Sequence, residues 1–168
     1  TAALCLRQFA KARPPTSRAD LLETVISELA EEWPALRRDQ PPRAMPWHDL
    51  APSLRRLALG WLRDGGAPLS HAKVRAVFRA RLADREAAAI RAAGPARYGL
   101  LAERDGGYEF PIRLLAEHLA GAALVDEGPD ALVDAARATW GAEAARCALG
   151  RMSTLERHDE VGDAVTRL

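Results

Sequence analysis

The sequence has little that would attach it to a membrane or to a polyanion. No apolar run reaches the roughly 18 residues that a membrane-spanning helix needs, and no signal peptide begins the chain. The 24 basic residues are nearly balanced by 23 acidic ones, so no net charge attracts nucleic acid or an anionic membrane. We therefore expect a soluble, cytoplasmic protein with neither a membrane nor a nucleic acid as partner.

Lysine and cysteine are both scarce. Lys11 and Lys73 are the only lysines, and alanine is abundant, a residue usage typical of a GC-rich bacterial genome. Cys5 and Cys147 lie far apart within apolar helical patterns, which favours two reduced structural thiols over a disulfide, a metal site or a reactive cysteine. The chain begins with Thr1 inside a helical pattern, which indicates a fragment of a longer protein.

Motifs that carry catalysis are also missing. No glycine-rich loop ends in Lys-Ser or Lys-Thr to hold nucleotide phosphates, and no Gly-x-Ser-x-Gly turn presents a nucleophile. Ser70-His71 is better explained as a helix cap and its neighbour, and adjacent residues such as Glu31-Glu32 do not face one another on a helix. We predict that this chain alone has no catalytic site and is not an enzyme.

The histidines do not indicate a metal site, because none has a cysteine or another histidine at metal-ligand spacing. We interpret all four as isolated surface or partly buried side chains: His48, His71, His118 and His158. No metal and no cofactor is expected in this chain.

Helical periodicity dominates the first 66 residues. Apolar residues recur at three and four positions in three segments, and four prolines interrupt the pattern between the second and the third. The predicted helices cover residues 1–11, about 16–33 with Thr16 or Ser17 as cap, and about 47–63. Residues 34–46 are predicted to be an exposed connector.

The following segment changes character. Ser70 and Asp84 are placed to cap two short helices, which end near Leu82 and Ala93. The Gly106-Gly107 pair lies between two short apolar segments and predicts a β-hairpin. Helix, helix and hairpin in this order indicate a winged-helix unit.

A longer apolar helix follows the hairpin, and Pro111 fits as its first residue because a proline lacks only a donor that is unpaired there anyway. Two or three alanine-rich helices follow it, separated near Gly141 and near residues 150–153. The predicted fold is mostly α: a helical bundle, then a winged-helix unit with one β-hairpin, then a helical tail. The corresponding domains are residues 1–66, 67–126 and 127–168.

A winged helix raises the question of DNA, because its second helix can enter the major groove. Here that helix has Arg85 and Arg91 beside two acids, and it has no Asn or Gln to read bases. The hairpin tip adds only Arg104. A DNA-binding transcriptional regulator that uses these three arginines stays open as an alternative function, and a helical scaffold that docks a partner through residues 34–46 is a second alternative.

Two stretches resemble the NACHT type of STAND NTPases, a family of NTPases that act in signal transduction. Tyr98-Gly99-Leu100-Leu101, followed by Gly107-Tyr108-Glu109-Phe110 and a helix with Glu117 and small residues, is similar to the end of that family's winged-helix domain. Leu4-Cys5-Leu6, residues 14–22 and Trp33 are similar to its small helical domain. The resemblance covers about residues 1–126 and implies the C-terminal part of such a protein without its P-loop core.

The resemblance also implies a mechanism. In that family, ADP keeps the winged-helix domain folded against the NTPase core, and exchange for ATP, with Mg, releases it so that protomers assemble. The implied partners are the NTPase core of the same protein and further copies of the parent ATPase. The tail would begin a sensor or repeat region, and the parent would act in bacterial antiviral defence or signalling.

The resemblance further assigns residues. Ile112 stands where many members place a histidine that contacts the β-phosphate of ADP, and isoleucine cannot donate that hydrogen bond. The residues implied to lie near the nucleotide are Ile112, Arg113 and Arg97. Those implied in regulatory packing are Phe110, Leu115 and Glu117, for which ordinary helix packing and solvation is the alternative.

Overall fold

A computed structural model of the chain describes residues 18–31, 45–94 and 99–167. The predicted helix over residues 1–11, with Cys5, lies outside the described residues, as do the Thr16-Ser17 cap, Trp33 and Arg97. Most of the connector 34–46 lies outside them too. At its end, Met45 is buried and Pro46 is exposed, so this last part of the connector is only partly exposed, contrary to the expectation.

The described chain is mostly helical. Its α-helices are α1 Arg18–Glu31, α2 Trp47–Arg63, α3 His71–Leu82, α4 Glu86–Ala93, α5 Arg113–Glu127, α6 Pro129–Arg137, α7 Ala142–Thr154 and α8 His158–Arg167. A 3₁₀ turn, Ala83–Arg85, joins α3 to α4. The strands are β1 Leu69–Ser70, β2 Ala102–Arg104 and β3 Gly107–Glu109. The predicted mostly α fold with a small hairpin is confirmed.

The three strands form one antiparallel sheet in the order β1-β3-β2. Strand β1 was not predicted, because its two residues are too few to show the alternation that marks a strand. It pairs Leu69 with Tyr108 and Ser70 with Gly107. With β1 in place, the chain from α2 to β3 has the complete winged-helix order of helix, strand, helix, helix, strand and strand. The domain boundary at residues 66 and 67 stays a prediction.

The hairpin turn lies at the predicted tip, residues 104–107, with Arg104 paired to Gly107. Asp105 and Gly106 both have positive φ, 43° and 85°, as a two-residue hairpin turn with right-handed strand twist requires. Gly107 belongs to β3, where a Cβ atom would lie 2.6 Å from the carbonyl oxygen of Leu69. The second glycine therefore permits the close approach of β1.

The structure corrects one of the two predicted helix caps. Ser70 caps α3 as expected, since its Oγ accepts a hydrogen bond from the backbone N–H of Lys73 at 3.2 Å. Asp84 does not cap α4, which begins at Glu86 with no side-chain cap. The reason is that Asp84 lies inside the 3₁₀ turn, while a capping residue needs an extended backbone.

Two other predicted helix limits are wrong. Pro111 is not the first residue of α5, because Ile112 keeps an extended backbone and its carbonyl accepts the first helical hydrogen bonds, from Leu115 and Ala116. In the tail, the break expected at residues 150–153 lies inside α7. The chain turns instead after Thr154, where Glu156 has a φ of 58°.

Helix α5 is the centre of the fold. From Leu115 to Val125 every residue except Glu117 is buried, since α2 packs along one side of the helix and α7 along the other. The core continues from there into the winged-helix unit and into α6 and α8. The helix that follows the wing therefore joins the winged-helix part to the tail.

Helices α5 and α7 approach each other closely at Gly121. A Cβ atom at this position would lie 2.7 Å from the Ala144 carbonyl oxygen and 2.7 Å from Cβ of Cys147. Real side chains do not tolerate such distances, so one helix would have to shift. In α8, by contrast, a Cβ atom at Gly162 would meet no atom within 4 Å.

These two glycines provide a matched pair of substitutions. We expect Gly121→Ala to lower the free energy of unfolding by about 1 to 3 kcal/mol, because overpacking outweighs the better helix propensity of alanine. Gly162→Ala should raise it by up to about 1 kcal/mol, because only the propensity changes. Urea unfolding followed by circular dichroism measures both, and a stabilised Gly121→Ala variant would contradict the close α5–α7 contact.

Candidate functional site

The residues expected near a nucleotide lie at the exposed start of α5. The Ile112 side chain is 46% exposed and projects an apolar surface just after the wing. Arg113 donates through Nε to Glu117 Oε1 at 2.8 Å, so its charge is already paired one helical turn away. The structure thus brings Arg113 and Glu117 together, while Arg97 lies outside the described residues.

The residues expected in regulatory packing divide into two kinds. Phe110 is buried at the end of β3, and its ring lies 5.6 Å from that of Trp61, centroid to centroid, which connects the wing to α2. Leu115 is buried in the core below it. Glu117 belongs instead to the ion pair with Arg113, at the edge of the core.

The arginines of the DNA-binding alternative are mostly engaged with acids. Arg85 lies 3.6 Å from Asp49, and Arg104 donates to Glu109 at 2.9 Å. Arg91 has no ion-pair partner within the described ranges. The outer face of α4 presents little else, since Ala87 and Ala88 are its exposed neighbours. Arg91 is therefore the one basic residue on α4, and Arg75 of α3 lines the same surface cavity as Arg91.

A charged cluster that was not predicted lies where four helices meet. Glu23 of α1 accepts a hydrogen bond from His118 Nε2 of α5 at 2.9 Å and one from Arg151 of α7, also at 2.9 Å. Arg55 of α2 lies 3.5 Å from the other carboxylate oxygen. We call Glu23, Arg55, His118 and Arg151 the Glu23 cluster.

Electrostatics keep Glu23 ionised. Burial by itself raises the pKa of this carboxyl, but the hydrogen bond from His118 and the positive charges of Arg151 and Arg55 outweigh it and lower the pKa to about 2. Burial, together with the like charge of Arg151, lowers the pKa of Arg55. One carboxylate therefore holds two guanidinium groups and an imidazole.

His118 corrects the expectation that all four histidines are surface or partly buried side chains. Its side chain is only 2% exposed, and its partner Glu23 is 95 residues away in the sequence. Its Nδ1 atom is buried with no hydrogen-bond partner among the described residues. A signal was present, because a histidine in the apolar run of α5 needs a polar partner once buried. The sequence could not indicate which residue that partner is.

Other reactive groups offer no chemistry of their own. The Cys147 thiol is buried, as predicted, and burial, aided by Glu143, raises its pKa to about 11, so it stays protonated. Within residues 18–31, 45–94 and 99–167 no group of three His, Cys, Asp or Glu side chains is placed to hold a metal ion. In the same ranges no helix has both the length and the apolar character needed to cross a bilayer.

Comparison with known protein families, with curated proteins and with solved structures finds no match to this chain. Fold and site therefore define the class of protein: a mostly α chain in which a winged-helix arrangement shares its core with further helices. The distinguishing feature within that class is the Glu23 cluster, which ties together four helices on both sides of α5.

The lowered pKa of Glu23 predicts a pH-dependent stability. The Glu23 carboxyl has a lower pKa in the folded protein than in the unfolded chain, so its ionised form stabilises the fold. This stabilisation is complete above about pH 4.5, the ordinary pKa of the group, and is lost as the pH falls towards 2. We expect Glu23→Gln to lower the free energy of unfolding by about 3 kcal/mol at pH 7, since it leaves the partly buried Arg55 and Arg151 without their carboxylate partner. The difference from wild type should shrink between pH 4.5 and 2.

Urea unfolding of both proteins at pH 7, 4 and 3 measures this difference. Glu127→Gln is the matched control, because Glu127 forms an exposed ion pair with Arg63 that contributes at most about 1 kcal/mol. A Glu23→Gln variant whose destabilisation is the same at every pH would refute the assignment.

Proposed function

We propose that this chain is the helical and winged-helix regulatory part of a bacterial STAND NTPase of the NACHT type. In this function it couples the ATP or ADP state of a P-loop core to oligomerisation of the parent protein, in defence or signalling. One observation carries the proposal: the helix that leaves the wing, α5, is buried between α2 and α7.

This arrangement suits a rigid lever. Phe110 packs on Trp61 at the wing end of α5, and Gly121 lies against α7 farther along the helix. A close-packed core transmits displacement because it has no room to absorb it. A partner that moves the wing would therefore also move the tail, where an effector or sensor would respond.

The surface of the winged-helix unit supports a protein partner over DNA. The carboxylate of Glu86 on α4 is held by Arg79, with contacts of 2.6 and 2.7 Å, and exposed alanines follow it on the same helix. Small apolar side chains allow another protein surface to come close, but they cannot form hydrogen bonds with base edges. The NTPase core of the same protein is the partner that the sequence resemblance implies.

Ile112 and Arg113 are the residues that we expect to face that core. Ile112 would contribute an apolar contact in place of a hydrogen bond to a phosphate. Arg113 would have to leave Glu117 to reach a nucleotide that the core binds with Mg. The contacts of Ile112 and Arg113 with the core would then differ between the ADP state and the ATP state. A nucleotide-driven switch requires such a difference.

The parent protein, with core and this chain together, tests the proposal. The chain alone should not turn over ATP, and the parent should assemble with ATP but not with ADP. Ile112→Ser should shift this response, because it alters the apolar contact with the core. Leu155→Ser is the matched control, since Leu155 is 53% exposed but lies in the tail, away from the wing.

Light scattering after size-exclusion chromatography, in ATP and in ADP, gives the mass of each variant. ATP hydrolysis by the isolated chain would refute the proposal. So would an Ile112→Ser parent protein that assembles as wild type does in both nucleotides.

The same surface predicts little interaction with DNA. We expect fluorescence anisotropy of a labelled duplex to show weak binding. The affinity should change little between 50 and 200 mM salt, because only about one or two phosphate contacts would form. Arg85→Ala and Arg91→Ala should leave it unchanged. A steep salt dependence that these variants reduce would instead support a DNA-binding regulator.

A further inference from the structure

A surface cavity of about 270 Å³ lies between α2 and the last turn of α5. Three arginines line it: Arg55 and Arg56 of α2, and Arg81 near the end of α3. Two acidic residues, Asp126 and Glu127, complete the rim. The cavity lies next to the Glu23 cluster, because Arg55 belongs to both.

The charges around this cavity do not balance. Both oxygens of Glu127 are held by Arg63, at 2.6 and 3.3 Å. Arg56 and Arg81 form no ion pair with any residue that the structure describes. Asp126 is then the one acid at the rim with its charge free of an ion pair in the described chain. Because Arg55 already contacts Glu23, the arginines at the cavity without an ion pair are Arg56 and Arg81.

Arg55 adds a buried donor without an acceptor. Its Nε atom is buried and has no hydrogen-bond partner among the described residues. Its Nη2 atom contacts Glu23 Oε1 at a long distance, 3.5 Å, while His118 and Arg151 bind the other oxygen of that carboxylate. A buried donor left without an acceptor is costly, and an anion in the cavity would stabilise the positive charge of this guanidinium group.

We propose that Arg55, Arg56 and Arg81 form a binding site for a small phosphomonoester. Guanidinium groups bind phosphate oxygens through paired hydrogen bonds, and Arg56 and Arg81 have no ion pair in the described chain that would compete with a phosphate group. The cavity is near the small end of the size range of ligand pockets, which limits the organic part of the ligand to a small group.

The remaining walls fit that organic part. Pro52, Leu59 and Ala123 provide an apolar surface beside the arginines. Asp126 provides an acceptor for a hydroxyl or amino group. The site is separate from the exposed start of α5, which we expect to face an NTPase core. The test of this binding site is therefore independent of the test of the proposed function.

A second cavity offers a matched control. It is about 370 Å³ in volume and is lined by Arg75 and Arg91, which also have no ion-pair partner in the described ranges. Its acid, Glu86, is held by Arg79. The second cavity is lined by two arginines where the first has three, and it has no counterpart of Arg55, whose Nε atom is buried without a partner among the described residues.

Isothermal titration calorimetry of the whole chain with phenyl phosphate, in a phosphate-free buffer, tests the proposal. We expect saturable binding by the wild type and at least a tenfold weaker affinity in the double variant Arg56→Ala/Arg81→Ala. The double variant Arg75→Ala/Arg91→Ala removes the same charge and should bind as the wild type does. Circular dichroism establishes that both double variants are folded.

Inorganic phosphate and benzoate identify the ligand chemistry. Phenyl phosphate should bind more tightly than either, because inorganic phosphate lacks the apolar group and benzoate carries one negative charge. An equal loss of affinity in the two double variants would show that binding depends on diffuse surface charge and would overturn the proposed site. The absence of saturable binding would overturn it as well. Benzoate or inorganic phosphate binding as tightly as phenyl phosphate would overturn the phosphomonoester assignment.

Discussion

The contact between α5 and α7 at Gly121 constrains the rest of the structure. Because no side chain fits between the Ala144 carbonyl and Cys147, the two helices can lie close enough to bury α5 on this side while α2 covers the other. Small residues on a central helix, Ala116, Ala120 and Gly121, are what allow neighbours to approach from two directions. The winged-helix part and the tail thereby share one core.

Because α5 is buried on both sides, its one histidine is removed from water, and the Glu23 cluster provides the polar partner that this histidine needs. His118 points into this core, and a buried imidazole needs a partner. Glu23 supplies it from α1, and the arginines of α2 and α7 compensate the carboxylate in turn. Two arginines thus share one carboxylate, and Arg55, which lines a surface cavity, has a buried Nε atom with no hydrogen-bond partner among the described residues.

Features set by neighbouring residues could be predicted, and features set by distant ones could not. The Ser70 cap and the hairpin follow from side chains within a few positions, and both are present. Strand β1 exists only because Gly107 lets the chain pair with it, and His118 meets a residue 95 positions away. The caps and helix starts that failed, at Asp84 and Pro111, depended on backbone angles that the turn before each helix imposes.

The order of the strands leaves β2 at an edge of the sheet, where backbone groups can pair with another chain. This strand has only three residues, and the side chains of Glu103 and Arg104 on it are charged and exposed. A short, charged edge resists the addition of a foreign strand. The charges on β2 therefore disfavour aggregation of copies of this chain through the edge of the sheet.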